Sequence, residues 1–192
     1  MDLNIERPQK FAFRNRGGPR AFSGAGAMLF QAPLAYGRLM INQLLTTYLF
    51  KDMDYAALEE MARFSSHVHL NDGDVLIHEN ETENFDVFVL CAGSVEIISS
   101  SSSSVSGDVA ISKQDVEVFG EISWLTRRKR TATVRCRGEV EAIRIDGNAF
   151  MHYLEQHPKA GFEIMRKISL LLAQRLESTN MLLKQILWNS TF

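Results

Sequence analysis

The sequence is poor in cysteine and proline and contains no long apolar run. Its 192 residues include only two cysteines, Cys91 and Cys136, and four prolines. Two distant cysteines without a Cys-x-x-Cys partner argue against a zinc site and indicate a reducing compartment, for which we expect the cytoplasm. No apolar run reaches the roughly 18 residues that a membrane-spanning helix needs, so we expect no membrane span.

The sequence also has little net charge. It carries 21 Lys and Arg against 23 Asp and Glu, a balance of −2 at neutral pH. This balance argues against a general nucleic-acid binder, so we expect no nucleic acid to be bound by this chain alone. Hydrophobic residues make up 45% and charged residues 23%, which is an ordinary globular composition and excludes wholesale disorder.

Acidic residues are absent between Glu6 and Asp52, whereas basic residues, glycine-rich breaks and phenylalanines recur there. Three interpretations stay open: an arm that docks on the domain or on a partner, an organellar transit peptide, and a solvated tail. Asp2 and the Gly-Pro content weaken the transit-peptide interpretation, and we favour a docked arm. We therefore predict a basic, Gly- and Phe-containing N-terminal arm over residues 1–38 and one folded domain over residues 39–192.

The hydrophobic pattern of the domain changes twice along the chain. Residues 39–64 have a helical period, and Asp52 or Asp54 could cap a second helix there. Residues 65–145 form short β-branched or alternating runs, with turns predicted at Ala92-Gly93 and Arg137-Gly138 among others, and a serine run over 99–104 is expected to be a flexible hairpin loop. Strands at this spacing predict a sandwich or a jelly-roll barrel.

From Asp146 onward the helical period returns and runs to residue 188. An apolar stripe recurs every three or four residues, and Lys167 and Arg175 lie off that stripe. We interpret the stripe as a packing or dimer seam rather than a ligand site. We expect no further domain after this helix. The members of the stripe are Met165, Ile168, Leu172, Leu176, Thr179, Leu183 and Ile186.

The segment from Phe119 to Val134 holds the residues best suited to bind a ligand. Gly120 permits a tight turn after a strand, and a short helix over 121–125 follows it. The free amides of such a helix favour an anion, and Arg130 would add a planar guanidinium fork. Glu121 is unusual beside an anion unless it accepts a hydrogen bond from a hydroxyl. A phosphate next to a free ribose hydroxyl would explain both charged residues.

This segment resembles the phosphate-binding cassette of the cyclic nucleotide-binding domain family, which includes kinase regulatory subunits, regulated channels and catabolite-activator transcription factors. Phe119-Gly120-Glu121, Ser123 and the run 130–134 match the family pattern without a gap. The similarity extends from about Phe50 to Arg175. Lys129 stands where the family has proline.

The resemblance implies a mainly β fold: a cyclic nucleotide-binding barrel of the double-stranded β-helix or jelly-roll type. Helices over 39–64 and 146–188, including a long C-terminal helix, would flank a barrel over 65–145. The implied ligand is cAMP or cGMP, with no cofactor and no metal. The ligand-binding candidates are Phe119, Gly120, Glu121, Ile122, Ser123, Arg130, Thr131 and Ala132.

The resemblance also assigns roles to three of these candidates. In the family, the position of Glu121 holds the ribose 2′-hydroxyl and that of Arg130 pairs with the cyclic phosphate. Thr131 follows the arginine, where a hydroxyl favours cGMP in related channels and kinases, although cAMP stays open.

Other motifs have simpler interpretations. The run 127–129 is expected to be a solvated basic loop. His67 and His69 share a strand face but lack a third metal ligand, so we predict no metal site. Trp188 could cover a nucleobase, but more often such a residue anchors a helix end.

Three functions are compatible with the sequence, and none is enzymatic because no nucleophile–base pair is evident. The first is a regulatory sensor that binds a cyclic nucleotide and signals through its C-terminal helix, as a homodimer or with a regulatory partner protein. The second is a non-binding scaffold of the same fold. The third is a truncated transcription regulator of the catabolite-activator type, which is disfavoured because no helix-turn-helix follows the long helix.

Overall fold

The computed structural model describes residues 34–99, 109–113 and 117–189. Antiparallel strands lie between N-terminal helices and a long C-terminal helix, as predicted. The elements are α1 (Leu34–Thr46), α2 (Tyr55–Ala62), β1 (Ser65–Leu70), β2 (Val75–Ile77), β3 (Val87–Ser99), β4 (Val109–Lys113), β5 (Val118–Phe119), α3 (Glu121–Thr126), β6 (Thr133–Ile145), α4 (Gly147–Gln156) and α5 (Pro158–Asn189).

Two features of the predicted N-terminal region can be compared with the structure. Most of the arm predicted over 1–38 falls outside the described residues, but residues 34–38 belong to α1, so this helix begins before the expected position 39. Of the two caps that the sequence left open, Asp52 and Asp54, the structure has Asp54, because its carboxylate accepts a hydrogen bond from the Ala57 amide at 2.7 Å.

The sheet is built around two long antiparallel strands, β3 and β6, which pair with each other. β6 pairs with β1 along its C-terminal half and with β2 near its start, whereas β3 pairs with β5 near its start and with β4 near its end. The turns predicted at Ala92-Gly93 and Arg137-Gly138 are wrong, because both pairs lie within continuous strands. The register of β3 shifts on both sides of Ala92, and such bulges account for the glycine there.

The sheet and the helices enclose two apolar clusters. The larger one lies between α1, α2, α4, α5 and one part of the sheet, and Leu44, Phe50 and Phe150 are fully buried in it. The smaller one lies among β2, β3, β5 and β6 and includes Ile77, Phe119 and Val134. The functional candidates described below border this smaller cluster.

Among the described residues, the buried positions of helix α5 all lie in its first half. Ile164 and Ile168 are buried, whereas every residue from Leu176 to Asn189 is exposed. Lys167, which the sequence pattern assigned to the polar face, is 3% exposed and donates to the Asp52 carboxylate at 2.9 Å and to the Leu49 carbonyl. Across the described ranges, no helix combines the length and apolar character needed to cross a bilayer.

Of the serine run over 99–104, which was predicted to be a hairpin loop, only Ser99 belongs to the described residues; residues 100–104 lie outside them.

Candidate functional site

The cassette begins with a backbone turn that requires glycine. Gly120 directly follows β5, has a φ of +84° and serves as the N-cap of α3. A Cβ at this position would lie 2.5 Å from Arg130 Nη1 and 2.6 Å from the Asp86 carbonyl oxygen. Both the positive φ and the crowding therefore exclude a side chain here.

The cassette lines an open cavity of about 150 Å³. All eight residues predicted from the sequence contribute to its wall: Phe119, Gly120, Glu121, Ile122, Ser123, Arg130, Thr131 and Ala132. The remaining wall is apolar except at one point, and consists of Ile77, Ile97, Val134 and Arg175. The structure thus brings the whole predicted set together, and the cavity wall includes one carboxylate, two guanidinium groups and two hydroxyl-bearing residues among its apolar residues.

Arg130 is 2% exposed and is held by hydrogen bonds within the protein. Its Nη1 donates to the Ser123 hydroxyl at 2.6 Å and to the Gly120 carbonyl at 3.1 Å. Its Nη2 donates to the Asp86 carbonyl at 2.9 Å and to the Asn84 side chain at 3.4 Å. Among the described residues, its Nε is buried and has no hydrogen-bond partner.

Burial also changes the pKa of Arg130. Removal from water lowers the pKa of the guanidinium from its ordinary value, and the nearby carboxylates of Glu81, Asp86 and Glu121 oppose that change. A guanidinium keeps its charge even so, because its ordinary pKa lies far above neutrality. The site therefore contains a buried cation with one N–H group that has no hydrogen-bond acceptor among the described residues.

Glu121 supplies the opposite charge and is 5% exposed. Burial raises the pKa of its carboxyl group, while Arg175 and Arg130 act in the other direction. Its Oε1 accepts a hydrogen bond from Nη1 of Arg175, with which it forms an ion pair. Nη2 of the same arginine donates to the Val118 carbonyl at 2.7 Å, so α5 is attached at two points beside the cassette.

The helix behind the cassette is fixed by an aromatic residue. Trp124 of α3 is fully buried, stacks on Phe150 of α4 with ring centroids 5.0 Å apart, and donates from Nε1 to the Gly147 carbonyl at 2.7 Å. One face of this indole therefore packs on an aromatic ring, and its polar edge is satisfied by a hydrogen bond. Helix α4 thus accommodates the bulky side chain.

Several other residues singled out by the sequence lie outside this site. The side chains of residues 127–129 are exposed, as predicted, and Arg127 donates to the Asn148 side chain. Trp188 is 70% exposed, and the residues that line the cavity within the described ranges do not include it.

The histidine pair on β1 is engaged in other contacts. Nε2 of His67 lies 2.9 Å from the Gln43 side-chain oxygen, and Nδ1 of His69 lies 3.8 Å from the Glu141 carboxylate. Within the part of the chain that the structure describes, no group of three His, Cys, Asp or Glu side chains is placed to hold a metal ion.

Arg175 is a charged site residue that the sequence did not assign to the cavity. Its only signal was a charged residue off the apolar stripe of α5, which is the usual position of a solvated side chain. The contact with Glu121 joins residues 54 positions apart, so it depends on how α5 docks on the domain. The apolar wall residues were predicted as strand residues but not as cavity residues for the same reason.

Comparisons with known proteins agree with this architecture. The family model for the cyclic nucleotide-binding domain matches residues 67–157. A comparison with curated proteins finds no significant match.

Solved structures with the same fold include a cyclic nucleotide-binding domain from Methylobacillus flagellatus, with a TM-score of 0.64 and 17% identity over 79% of this chain and 84% of that one. The sensor domain of the transcriptional regulator DNR from Pseudomonas aeruginosa has a TM-score of 0.61 and 18% identity over 75% and 95% of the two chains. The regulatory domain of Toxoplasma gondii PKA with cAMP has a TM-score of 0.57 and 15% identity over 74% of this chain. The present chain spans half of that protein's length.

Identities this low establish a common fold alone, and that fold is the predicted jelly roll with flanking helices. The family match begins within β1 and continues through β2 to β6, the cassette and α4, and thus contains nearly the whole cavity wall. Residues 67–157 of this chain belong to the cyclic nucleotide-binding domain family.

Proposed function

We propose that this chain is a regulatory module that binds a cyclic nucleotide, cAMP or cGMP, in the cavity beside the cassette. The observation that carries the proposal is the buried guanidinium of Arg130, whose Nε has no hydrogen-bond partner among the described residues. A buried donor without an acceptor costs about 1–3 kcal/mol, and more when it is charged. An anionic oxygen bound at Nε would remove that cost.

The rest of the cavity fits a cyclic nucleotide. A carboxylate at Glu121 can accept a hydrogen bond from a ribose hydroxyl, and the apolar wall formed by Ile77, Ile97 and Val134 suits a sugar and a flat base. Phosphate and hydroxyl are adjacent in a cyclic nucleotide, as Arg130 and Glu121 are in the cavity wall. The regulatory domain of Toxoplasma gondii PKA, which has the same fold and was crystallised with cAMP, supports this ligand class.

The base is the less defined part of the ligand. Thr131 is exposed and lines the cavity, so its hydroxyl is available to a base that enters there. By resemblance to related channels and kinases, this hydroxyl favours guanine. We therefore propose that cGMP binds at least as tightly as cAMP.

We propose a regulatory role rather than a catalytic one, with α5 as the element that responds to the ligand. This helix contributes Arg175 to the cavity wall and extends beyond it as an exposed apolar helix. Two free cysteines, one half-buried and one buried, are compatible with a reducing compartment, and we propose the cytoplasm.

Calorimetric titration with cAMP and cGMP tests the proposed ligand. We expect heat with at least one nucleotide, and a loss of affinity of about 100-fold in Arg130→Gln, because charge-assisted bonds contribute about 1.5–3 kcal/mol each. Arg128→Gln is the matched control, since that side chain lies exposed on the adjacent loop.

Two further measurements separate a loss of ligand binding from a loss of folding and test the role of Glu121. Circular dichroism shows whether Arg130→Gln is folded, and 2′-deoxy-cAMP with the wild-type protein tests Glu121 without any substitution. No heat with either nucleotide, at protein concentrations that detect micromolar binding, contradicts the proposal and leaves the non-binding scaffold as the better account.

We also propose that the exposed half of α5 pairs with a second copy of the chain. Leu176 and Leu183 are exposed and recur at the seven-residue spacing of a helix–helix seam, as do Thr179 and Ile186. Sedimentation should give twice the mass of the chain for the wild type and one chain mass for Leu183→Glu. Gln174→Glu is the control on the same exposed helix, and a monomeric wild type contradicts pairing.

A further inference from the structure

One side chain in the cavity wall has no role in the proposed recognition of the ligand. Arg175 reaches the cavity from α5, and its side chain is 28% exposed. It forms an ion pair with Glu121 and donates to the Val118 carbonyl at 2.7 Å. It is also the last residue of α5 that is not exposed, since all residues from 176 to 189 are exposed.

The carboxylate that Arg175 binds is the one that a ribose hydroxyl would need. Glu121 is 5% exposed, so little of its carboxylate surface is open to additional partners. The cavity measures about 150 Å³, whereas ligand pockets usually measure about 300–1,000 Å³. Movement of Arg175 out of the wall would both free the carboxylate and enlarge the cavity.

We propose that Arg175 competes within the chain for Glu121, so that a ligand with a free hydroxyl displaces it and releases α5 from the cassette. The inference rests on the proposed function, because it needs a ligand that uses Glu121. Its physical basis is differential binding: such a ligand gains a carboxylate only in the state in which the ion pair is broken. Ligand occupancy and the attachment of α5 then oppose each other.

Arg175 therefore also determines specificity. A ligand that lacks the hydroxyl has nothing to gain from Glu121 and leaves the ion pair in place. A ligand that has the hydroxyl must overcome the ion pair, and its binding changes the position of α5. Both kinds of ligand can therefore occupy the cavity, but only a ligand with the hydroxyl changes the position of α5.

Hydrogen–deuterium exchange over residues 169–179 measures this attachment directly. In the absence of ligand, Arg175→Gln should exchange faster than the wild type by about tenfold, because a charge-assisted contact of the helix is lost. Arg166→Gln is the matched control, since Arg166 lies on the same helix in an exposed ion pair with Glu163 and should leave exchange unchanged.

The ligand arms use cAMP, cGMP and their 2′-deoxy analogues. The natural nucleotides should speed exchange over 169–179 in the wild type and not in Arg175→Gln, whereas the analogues should bind without this effect. Binding by the wild type without a change in α5, or equal exchange in unliganded wild type and Arg175→Gln, overturns the competition alone. Failure of both proteins to bind any nucleotide overturns the proposed function and the competition together.

Discussion

Arg130 donates from Nη1 to the hydroxyl of Ser123 at 2.6 Å, and this bond joins the segment before β6 to helix α3. The Gly120 and Asp86 carbonyls accept from the same guanidinium. The residue expected to bind a phosphate is thus also a structural part of the cassette. Its orientation is set by the protein, and its Nε–H has no acceptor among the described residues.

Removal of the Ser123 hydroxyl should destabilise the domain. Ser123→Ala leaves one N–H of a buried guanidinium without its acceptor, and we expect the free energy of unfolding to fall by about 1–3 kcal/mol. Urea denaturation measures the loss. Ser178→Ala is the control, since that exposed hydroxyl binds a carbonyl of its own helix and should matter by less than about 0.5 kcal/mol. Equal stability of the two variants would refute the structural role of Ser123.

Gly120→Ala should lower the stability of the domain more than Gly138→Ala does, although both glycines have a positive φ. Gly138 has a φ of +78° and no atom within 4 Å of a built Cβ, so Gly138→Ala carries only the backbone cost of about 1–2 kcal/mol. Gly120→Ala adds contacts with Arg130 and Asp86 that should cost about 1–3 kcal/mol more. Thermal unfolding of both variants gives the difference. A Gly120→Ala protein as stable as Gly138→Ala would show that the cassette is not crowded as described.

Acid should destabilise the domain partly through His67. Burial, and then the neighbouring His69, lower the pKa of His67 below its ordinary value of 6.5, while Glu141 opposes this change. The unfolded chain then binds a proton more readily than the folded one, so the free energy of unfolding decreases as the pH falls through 6.5. His67→Gln should reduce this slope, and His152→Gln, which alters an exposed residue, should not. Parallel melting-temperature profiles for His67→Gln and the wild type would exclude His67 as the source.

The two thiols should be unreactive in the folded protein. Burial raises the pKa of both Cys91 and Cys136 from 9.0 to about 11, so at pH 8 only about a thousandth of each is thiolate. Iodoacetamide should label the urea-unfolded protein rapidly and the native protein slowly, as followed by mass spectrometry. Rapid labelling of either cysteine in the native state would contradict the packing described here.

The cavity wall could be predicted from the sequence where it is local. The eight candidate residues lie in one short segment whose glycine, carboxylate and arginine have matching spacing, and all eight line the cavity. Local sequence also limited the cap of α2 to Asp52 or Asp54 and predicted the short helix α3. The cap and the helix involve groups a few residues apart, so their positions follow from backbone geometry, whereas the eight cavity candidates followed from the resemblance to the cyclic nucleotide-binding domain family.

Features that depend on tertiary docking could not be predicted in this way. The ion pair between Glu121 and Arg175 arises only when α5 lies against the cassette, and Lys167 is buried because Asp52 and the Leu49 carbonyl meet it there. The sequence pattern predicts turns at Gly93 and Gly138, within what are continuous strands, because glycine indicates a turn more often than a bulge within a strand.

The most direct test of the account is the NMR signal of the Arg130 Nε–H group, assigned by its absence in Arg130→Lys. Addition of cAMP or cGMP should move this signal downfield and slow its exchange with water, because a phosphate oxygen becomes its hydrogen-bond acceptor. Adenosine, which has no phosphate, should leave it in place. A signal that is unchanged in millimolar cyclic nucleotide would contradict the assignment of Arg130 as the group that binds the phosphate.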